Sequence, residues 1–129
     1  MRKVKVAKSA GFCFGVKRAI DMVYEEAAKG GKVYTLGPVI HNEQVVSDLE
    51  SKGVKVVDNI ESLDAGQDTT VIIRSHGVPE EIINRLKEKN IRIVDATCPF
   101  VSKIHHIVKE KYNEGYHIVV IGNAKHPEV

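Results

Sequence analysis

The chain has 129 residues, 43% of them hydrophobic and 28% charged, which suits one globular domain or one domain and part of another. Nineteen basic against seventeen acidic residues leave a net charge of +2 with no basic block, so nucleic acid is not an expected partner. Lysines interrupt Val4–Ala10 and no apolar run is long enough for export or a membrane span, so a cytoplasmic protein with no membrane partner is expected.

Lys3–Lys8 alternates valine with lysine and reads as a strand with Val4 and Val6 on one face. A loop holding Gly11-Phe12-Cys13-Phe14-Gly15 leads to a helix from about Gly15 to Lys29, closed by Gly30-Gly31. Lys32–Leu36 is the next strand, and Gly37–His41 its exit loop. Asn42 suits a helix cap ahead of Val45, Val46 and Leu49, and Gly53 ends that helix. Val54–Val57 is a strand, Asp58–Asp68 a polar connection with one helical turn, and Thr69–Arg74 the most apolar strand. Ser75-His76-Gly77-Val78 follows. Pro79 opens a helix that buries Ile82, Ile83 and Leu86.

Ile91–Val94 is a strand, Asp95–Cys98 a turn, and Pro99 starts a helix with Val101, Ile104, Val108 and Tyr112 at helical spacing. After Gly115, His117–Ile121 reads as a further strand, and Gly122 opens the loop of His126-Pro127-Glu128. The expected fold is therefore α/β with a parallel sheet. Its core is expected to include Ile20, Val23, Val46, Leu49, Ile72, Ile73, Ile83, Leu86 and Val94.

A single offset of 85 residues carries Cys13 onto Cys98, Gly37 onto Gly122, His41 onto His126 and Glu43 onto Glu128. Such self-similarity indicates repeated structural units. Residues 14–97 form one whole unit, residues 98–129 open a second, and residues 1–13 are a leading strand and cysteine loop belonging with a further unit.

The residues with chemistry converge. Cys13, His41, His76, Cys98, His126 and Glu128 all follow the carboxyl end of a strand, where open parallel sheets bind ligands. Both cysteines precede a helix start, which favours an anionic ligand atom and suits metal; two inert buried thiols are the alternative. A disulfide does not suit the cytosol, and two cysteines this far apart do not form a structural zinc site. His41, His76 and His126 sit in glycine-flanked loops suited to a phosphate or diphosphate, whereas His105, His106 and His117 read as surface or packing residues. Pro127 favours an extended His126, which would turn His126 and Glu128 to one side, the first as anion ligand and the second as proton donor. Glu43, the equivalent of Glu128, has only a helix-start charge to contribute.

Gly11-Phe12-Cys13-Phe14-Gly15-Val16, Val39-Ile40-His41-Asn42, Ser75-His76-Gly77-Val78, Asp95-Ala96-Thr97-Cys98-Pro99 and His126-Pro127-Glu128-Val129 resemble the 4-hydroxy-3-methylbut-2-enyl diphosphate reductase family over its amino-terminal portion. The resemblance implies a three-lobed (trefoil) α/β oxidoreductase, here one complete lobe and the start of a second. It also implies a central 4Fe-4S cluster held by three cysteines, with an open iron for the substrate hydroxyl. Cys13 and Cys98 match two of those ligands, and the third is not in this chain. His41, His76 and His126 match the residues that bind the diphosphate substrate, and Glu128 matches the proton-delivering carboxylate. The implied reaction is reductive dehydroxylation to isopentenyl and dimethylallyl diphosphates with a ferredoxin or flavodoxin as donor, the fragment alone being inactive. Two other readings stay open: a metal-free phosphate-binding α/β module, and an interaction domain without a ligand.

Overall fold

The computed structural model describes residues 2–66 and 68–129; Met1 and Gln67, the latter inside the Asp58–Asp68 connection, lie outside the described residues. Helix α1 (Phe14–Lys29) gathers Val16, Ala19, Ile20, Val23 and Ala27 on one stripe, and the middle three are buried. Gly30, at φ +78°, donates to the Ala27 carbonyl and releases the chain toward strand β1 (Lys32–Leu36). Helix α2 (Glu43–Ser51) is capped by Asn42, whose side-chain oxygen accepts from the Gln44 and Val45 N–H groups at 3.1 and 3.2 Å. Such a cap stabilises by about 0.5–2 kcal/mol.

Strand β2 (Val54–Val57), a 3-10 turn at Ile60–Ser62, strand β3 (Thr69–Ile73) and helix α3 (Glu80–Glu88) follow. Strand β4 (Arg92–Asp95) leads to helix α4 (Pro99–Asn113), with Pro99 in its first turn.

The four strands form one parallel sheet in the order β2-β1-β3-β4. Side chains alternate across it, so each face has its own cluster. Val33 and Ile72 meet Ala19, Val23 and Leu49 of α1 and α2 on one face. Tyr34, Leu36, Val71 and Ile73 meet Ile60, Leu63 and Leu86 on the other. Burying each such aliphatic side chain stabilises by roughly 1.5–3 kcal/mol. β3 is buried along its whole length, which fits its β-branched run and central place. The buried Glu26 carboxylate is held by Arg92 and Lys29, so a charge inside the fold is paired from two sides.

The expected parallel α/β sheet is present, with β1 and β2 at the expected residues and β3 and β4 within one residue of them. Of the expected core, Val46, Ile83 and Val94 are only half-buried, because the rims of the helix–sheet interfaces are open there. Two expected strands do not form. Lys3–Lys8 and His117–Ile121 carry no ladder, and among the described residues no strand pairs with either. An apolar alternation does not make a strand without a neighbour to satisfy its backbone groups. Val4 is 91% exposed and Ile121 96%. Helix α4 likewise has no buried residue: Val101 and Val108 are half-covered, while Ile104 and Tyr112 stand in solvent. Its apolar stripe is correctly spaced and largely unmatched.

Candidate functional site

Register places the site. Val57, Leu36, Ile73 and Asp95 share one row at the carboxyl ends of the strands. The chain moves outward from β1 to β2 and in the opposite direction from β3 to β4, so strand order reverses between β1 and β3. A crevice at such a reversal is the usual ligand site of an open α/β sheet. Gly37–His41 leaves β1 on one side of it, and Arg74–Gly77 leaves β3 on the other.

The two loops bring histidines together. The His41 and His76 rings lie with centroids 6.1 Å apart, and His126, from the loop after α4, lies 6.3 Å from His76. His76 is thus the middle member. Its Nδ1 is buried without a hydrogen-bond partner, an atom with capacity left for a ligand. Burial, and then the charge on Arg74, hold the His76 imidazole below the usual histidine range; His41 and His126 act the same way and the Glu128 carboxylate opposes them.

His126 and Glu128 do reach His76, but not on an extended segment. The His126 carbonyl accepts from the Val129 N–H at 2.9 Å and its own N–H donates to the Asn123 carbonyl at 2.8 Å, closing a turn. Pro127 favours that turn as readily as an extended chain, because its fixed φ suits the second turn position. The Glu128 N–H donates to His126 Nδ1 at 3.2 Å, which fixes which ring nitrogen is left for a ligand. Glu128 lines a cavity of about 570 Å³ with His76, Glu80, Lys87 and His105. His105, which sequence reasoning left on the surface, therefore borders the site. Glu43, as expected, sits in the first turn of α2.

The cysteines occupy matching positions. Cys13 is the N-cap of α1 and Cys98 the N-cap of α4, each extended and neither making a side-chain cap bond. Both thiols are free, Cys13 exposed and Cys98 half-buried. Two bonds tie Cys98 into the site. Its N–H donates to the Ser75 carbonyl at 2.9 Å, next to His76, and Arg18 of α1 donates to the Thr97 carbonyl at 3.2 Å. Gly15 faces Cys98 directly, so the two helix starts are in contact. Gly77, at φ +76°, allows the Thr97 and His105 side chains to close over the loop. Among the described residues no three His, Cys, Asp or Glu side chains converge closely enough to hold a metal ion by themselves.

Sequence reasoning missed Arg74, Gly15 and Gly77. Gly15 and Gly77 stand in the cysteine and histidine motifs, but the contacts that require glycine there come from across the fold, and Arg74 directly follows an apolar strand.

Residues 4–129 match the family model described as LytB protein. The 4-hydroxy-3-methylbut-2-enyl diphosphate reductase of Clostridioides difficile is 54% identical over 127 residues, covering 98% of this chain and 45% of that protein. The same enzyme of Alkaliphilus oremlandii is 56% identical over 129 residues, with the same coverage. The chain thus spans under half the length of these relatives. Among solved structures, the (E)-4-hydroxy-3-methyl-but-2-enyl diphosphate reductase described as the terminal enzyme of the non-mevalonate pathway superimposes with a TM-score of 0.82 at 46% identity, over 97% of this chain and 44% of that one. The Plasmodium falciparum reductase gives 0.88 at 34% identity, over 94% and 38%.

Proposed function

The chain belongs to the LytB family and corresponds to the amino-terminal portion of 4-hydroxy-3-methylbut-2-enyl diphosphate reductase, and from this we propose that it carries the diphosphate site and two of the metal ligands of that enzyme. The substrate would be 4-hydroxy-3-methylbut-2-enyl diphosphate. Two electrons and two protons would remove its hydroxyl as water and give isopentenyl and dimethylallyl diphosphates in the cytosol. The observation that supports this best is the meeting of His41, His76 and His126 at the strand-order reversal, one loop away from Cys98.

The donor atoms fit an iron–sulfur cluster in kind. Two free thiols at touching helix starts, neither engaged by a side-chain cap bond, are the ligand type such clusters take. Cys13 and Cys98 would hold a 4Fe-4S cluster, with a third cysteine from outside this chain, and when bound it would supply the electrons. A ferredoxin or flavodoxin would be their source. His41, His76 and His126 would hold the diphosphate through ring N–H groups, which anchors the far end of the substrate. Glu128, on the cavity wall beside His76, would deliver a proton to the departing hydroxyl. The division into residues 1–13, 14–97 and 98–129 belongs to this proposal: the first and last segments would pack against other lobes, which agrees with the exposure of Val4, Ile104 and Ile121. By itself the chain would be inactive.

Anaerobic reconstitution of the natural-length protein, followed by iron and sulfide analysis and a turnover assay, tests the proposal. A stoichiometric cluster and both isoprenoid products are expected. An iron-free, colourless protein that still binds inorganic diphosphate would overturn it in favour of a metal-free phosphate-binding module.

A further inference from the structure

Arg74 is a cation beside the histidine cluster. It follows β3 directly, two residues before His76, and Gly37 follows Leu36, the β1 partner of Ile73. Its guanidinium lies against Gly37: a Cβ at that glycine would stand 2.9 Å from Nη1, and Gly37 itself holds φ at +73°. The side chain is half-buried, and its Nε is sealed from solvent with no acceptor. Among the described residues no carboxylate pairs with it. Arg18, Arg85 and Arg92 each have a partner, in the Thr97 carbonyl, Glu61 and Glu26. Removing a guanidinium from water without a counter-charge costs free energy, so a fold that keeps one at a ligand crevice leaves room for an anion.

Position says which anion. His76 lies about 6 Å from each of the His41 and His126 rings and feels the fixed charge of Arg74, a set that suits a ligand with several oxygens and more than one charge. His76 is held neutral by burial and by Arg74, so at neutral pH it offers an N–H donor but no charge. The guanidinium supplies charge at any physiological pH.

We propose that Arg74 is a direct cationic contact for the diphosphate, binding it from the strand side of the His41–His76–His126 cluster. This rests on the diphosphate reading given above. The ligand's phosphoryl oxygens would take the N–H groups left over beside Gly37, and the three rings would close on the outer side.

The test is calorimetric titration of the intact protein with inorganic diphosphate, for wild type, Arg74→Gln, Arg74→Lys and His126→Phe. Arg74→Gln should weaken binding roughly ten- to a hundredfold, the range of a hydrogen bond to a charged group, and should flatten the salt dependence. Arg74→Lys keeps the charge but not the fork, and should bind about three- to tenfold more weakly than wild type with the salt dependence retained. A role confined to packing against Gly37 would leave the salt dependence of both variants unchanged. Arg74→Gln and Arg74→Lys within twofold of wild type, beside a weakened His126→Phe, would overturn the Arg74 contact alone. If Arg74→Gln does not fold, the Arg74→Lys affinity decides in the same way. Wild type that binds no diphosphate would overturn both this contact and the diphosphate reading.

Discussion

A side-chain carbon on Gly15 would lie 2.5 Å from the Sγ of Cys98 and 3.0 Å from its Cβ. No real pair of atoms tolerates that distance, so residue 15 must lack a side chain for the two helix starts to touch. Alanine there gains about 1 kcal/mol of helix propensity, while forcing atoms into a packed contact typically costs about 1–3 kcal/mol. Gly15→Ala should therefore lower the melting temperature and make the Cys98 thiol more reactive as it is pushed outward. Calorimetry and thiol titration of the reduced protein check this. A raised melting temperature with unchanged thiol reactivity would show that the contact does not constrain the fold.

The lowered His76 pKa sets a pH dependence. The fold favours the neutral ring, so as pH falls the unfolded chain takes up a proton first. Stability from this group is complete above the ordinary histidine pKa of about 6.5 and is lost as pH drops from there toward the lower folded value. A bound anion favours the protonated ring and works against the loss, so binding should consume a proton. Denaturant melts of wild type and His76→Gln between pH 7.5 and pH 5, with and without inorganic diphosphate, measure both effects. Identical pH slopes for the two proteins would dismiss the assignment.

The exposed segments give a prediction about dynamics. Amides of Val4–Ala7 have no ladder, whereas Ile72 and Ile73 are buried at the centre of the sheet. Unladdered segments open at almost no free-energy cost, and central strands open only with global unfolding, so exchange rates in a monomer should differ by roughly a hundredfold or more. Equal protection of the two segments would mean that Val4–Ala7 has found a partner strand.

What could be read from the sequence followed from local chemistry. Asn42 as a cap, Gly30 as a stop and the β-branched run at Thr69–Ile73 each act through near neighbours, and each is where expected. The meeting of His41 and His76 was legible because a parallel sheet sends its strand exits to one edge. His126 reaches His76 from the loop after α4 with no strand before it, so the expectation that it follows a strand end does not hold. Lys3–Lys8 and His117–Ile121 misled for the opposite reason. Their patterns are right for strands, but a strand depends on a neighbour that the pattern does not specify. Arg74 was missed because it directly follows an apolar strand, and only the folded surroundings show its guanidinium against Gly37 and its Nε without an acceptor among the described residues. The turn at His126–Val129 was missed because proline permits two conformations, and a hydrogen bond across four residues selects one.

Glu128 carries the last prediction, made for the natural-length protein. It shares a cavity wall with His76, its charge is felt by that ring, and its N–H is tied to His126. One short turn thus holds an imidazole and a carboxyl group together, and on the proposed reading the first would bind the diphosphate and the second would serve the end of the substrate that loses its hydroxyl. A hydroxyl is a poor leaving group until protonation lets it depart as water, so on that reading the carboxyl would act in the step rather than in binding. Glu128→Gln keeps the shape and the hydrogen-bonding capacity and removes the transferable proton. Loss of general acid catalysis usually costs about 10²–10⁴ in rate, so kcat should fall by that order while substrate affinity changes little. His126→Phe should do the reverse, weakening affinity through the lost anion contact with a smaller effect on kcat. Steady-state kinetics and substrate titration of both variants, each with its iron content verified, separate the two roles. A Glu128→Gln protein that turns over at close to the wild-type rate would remove Glu128 from proton delivery.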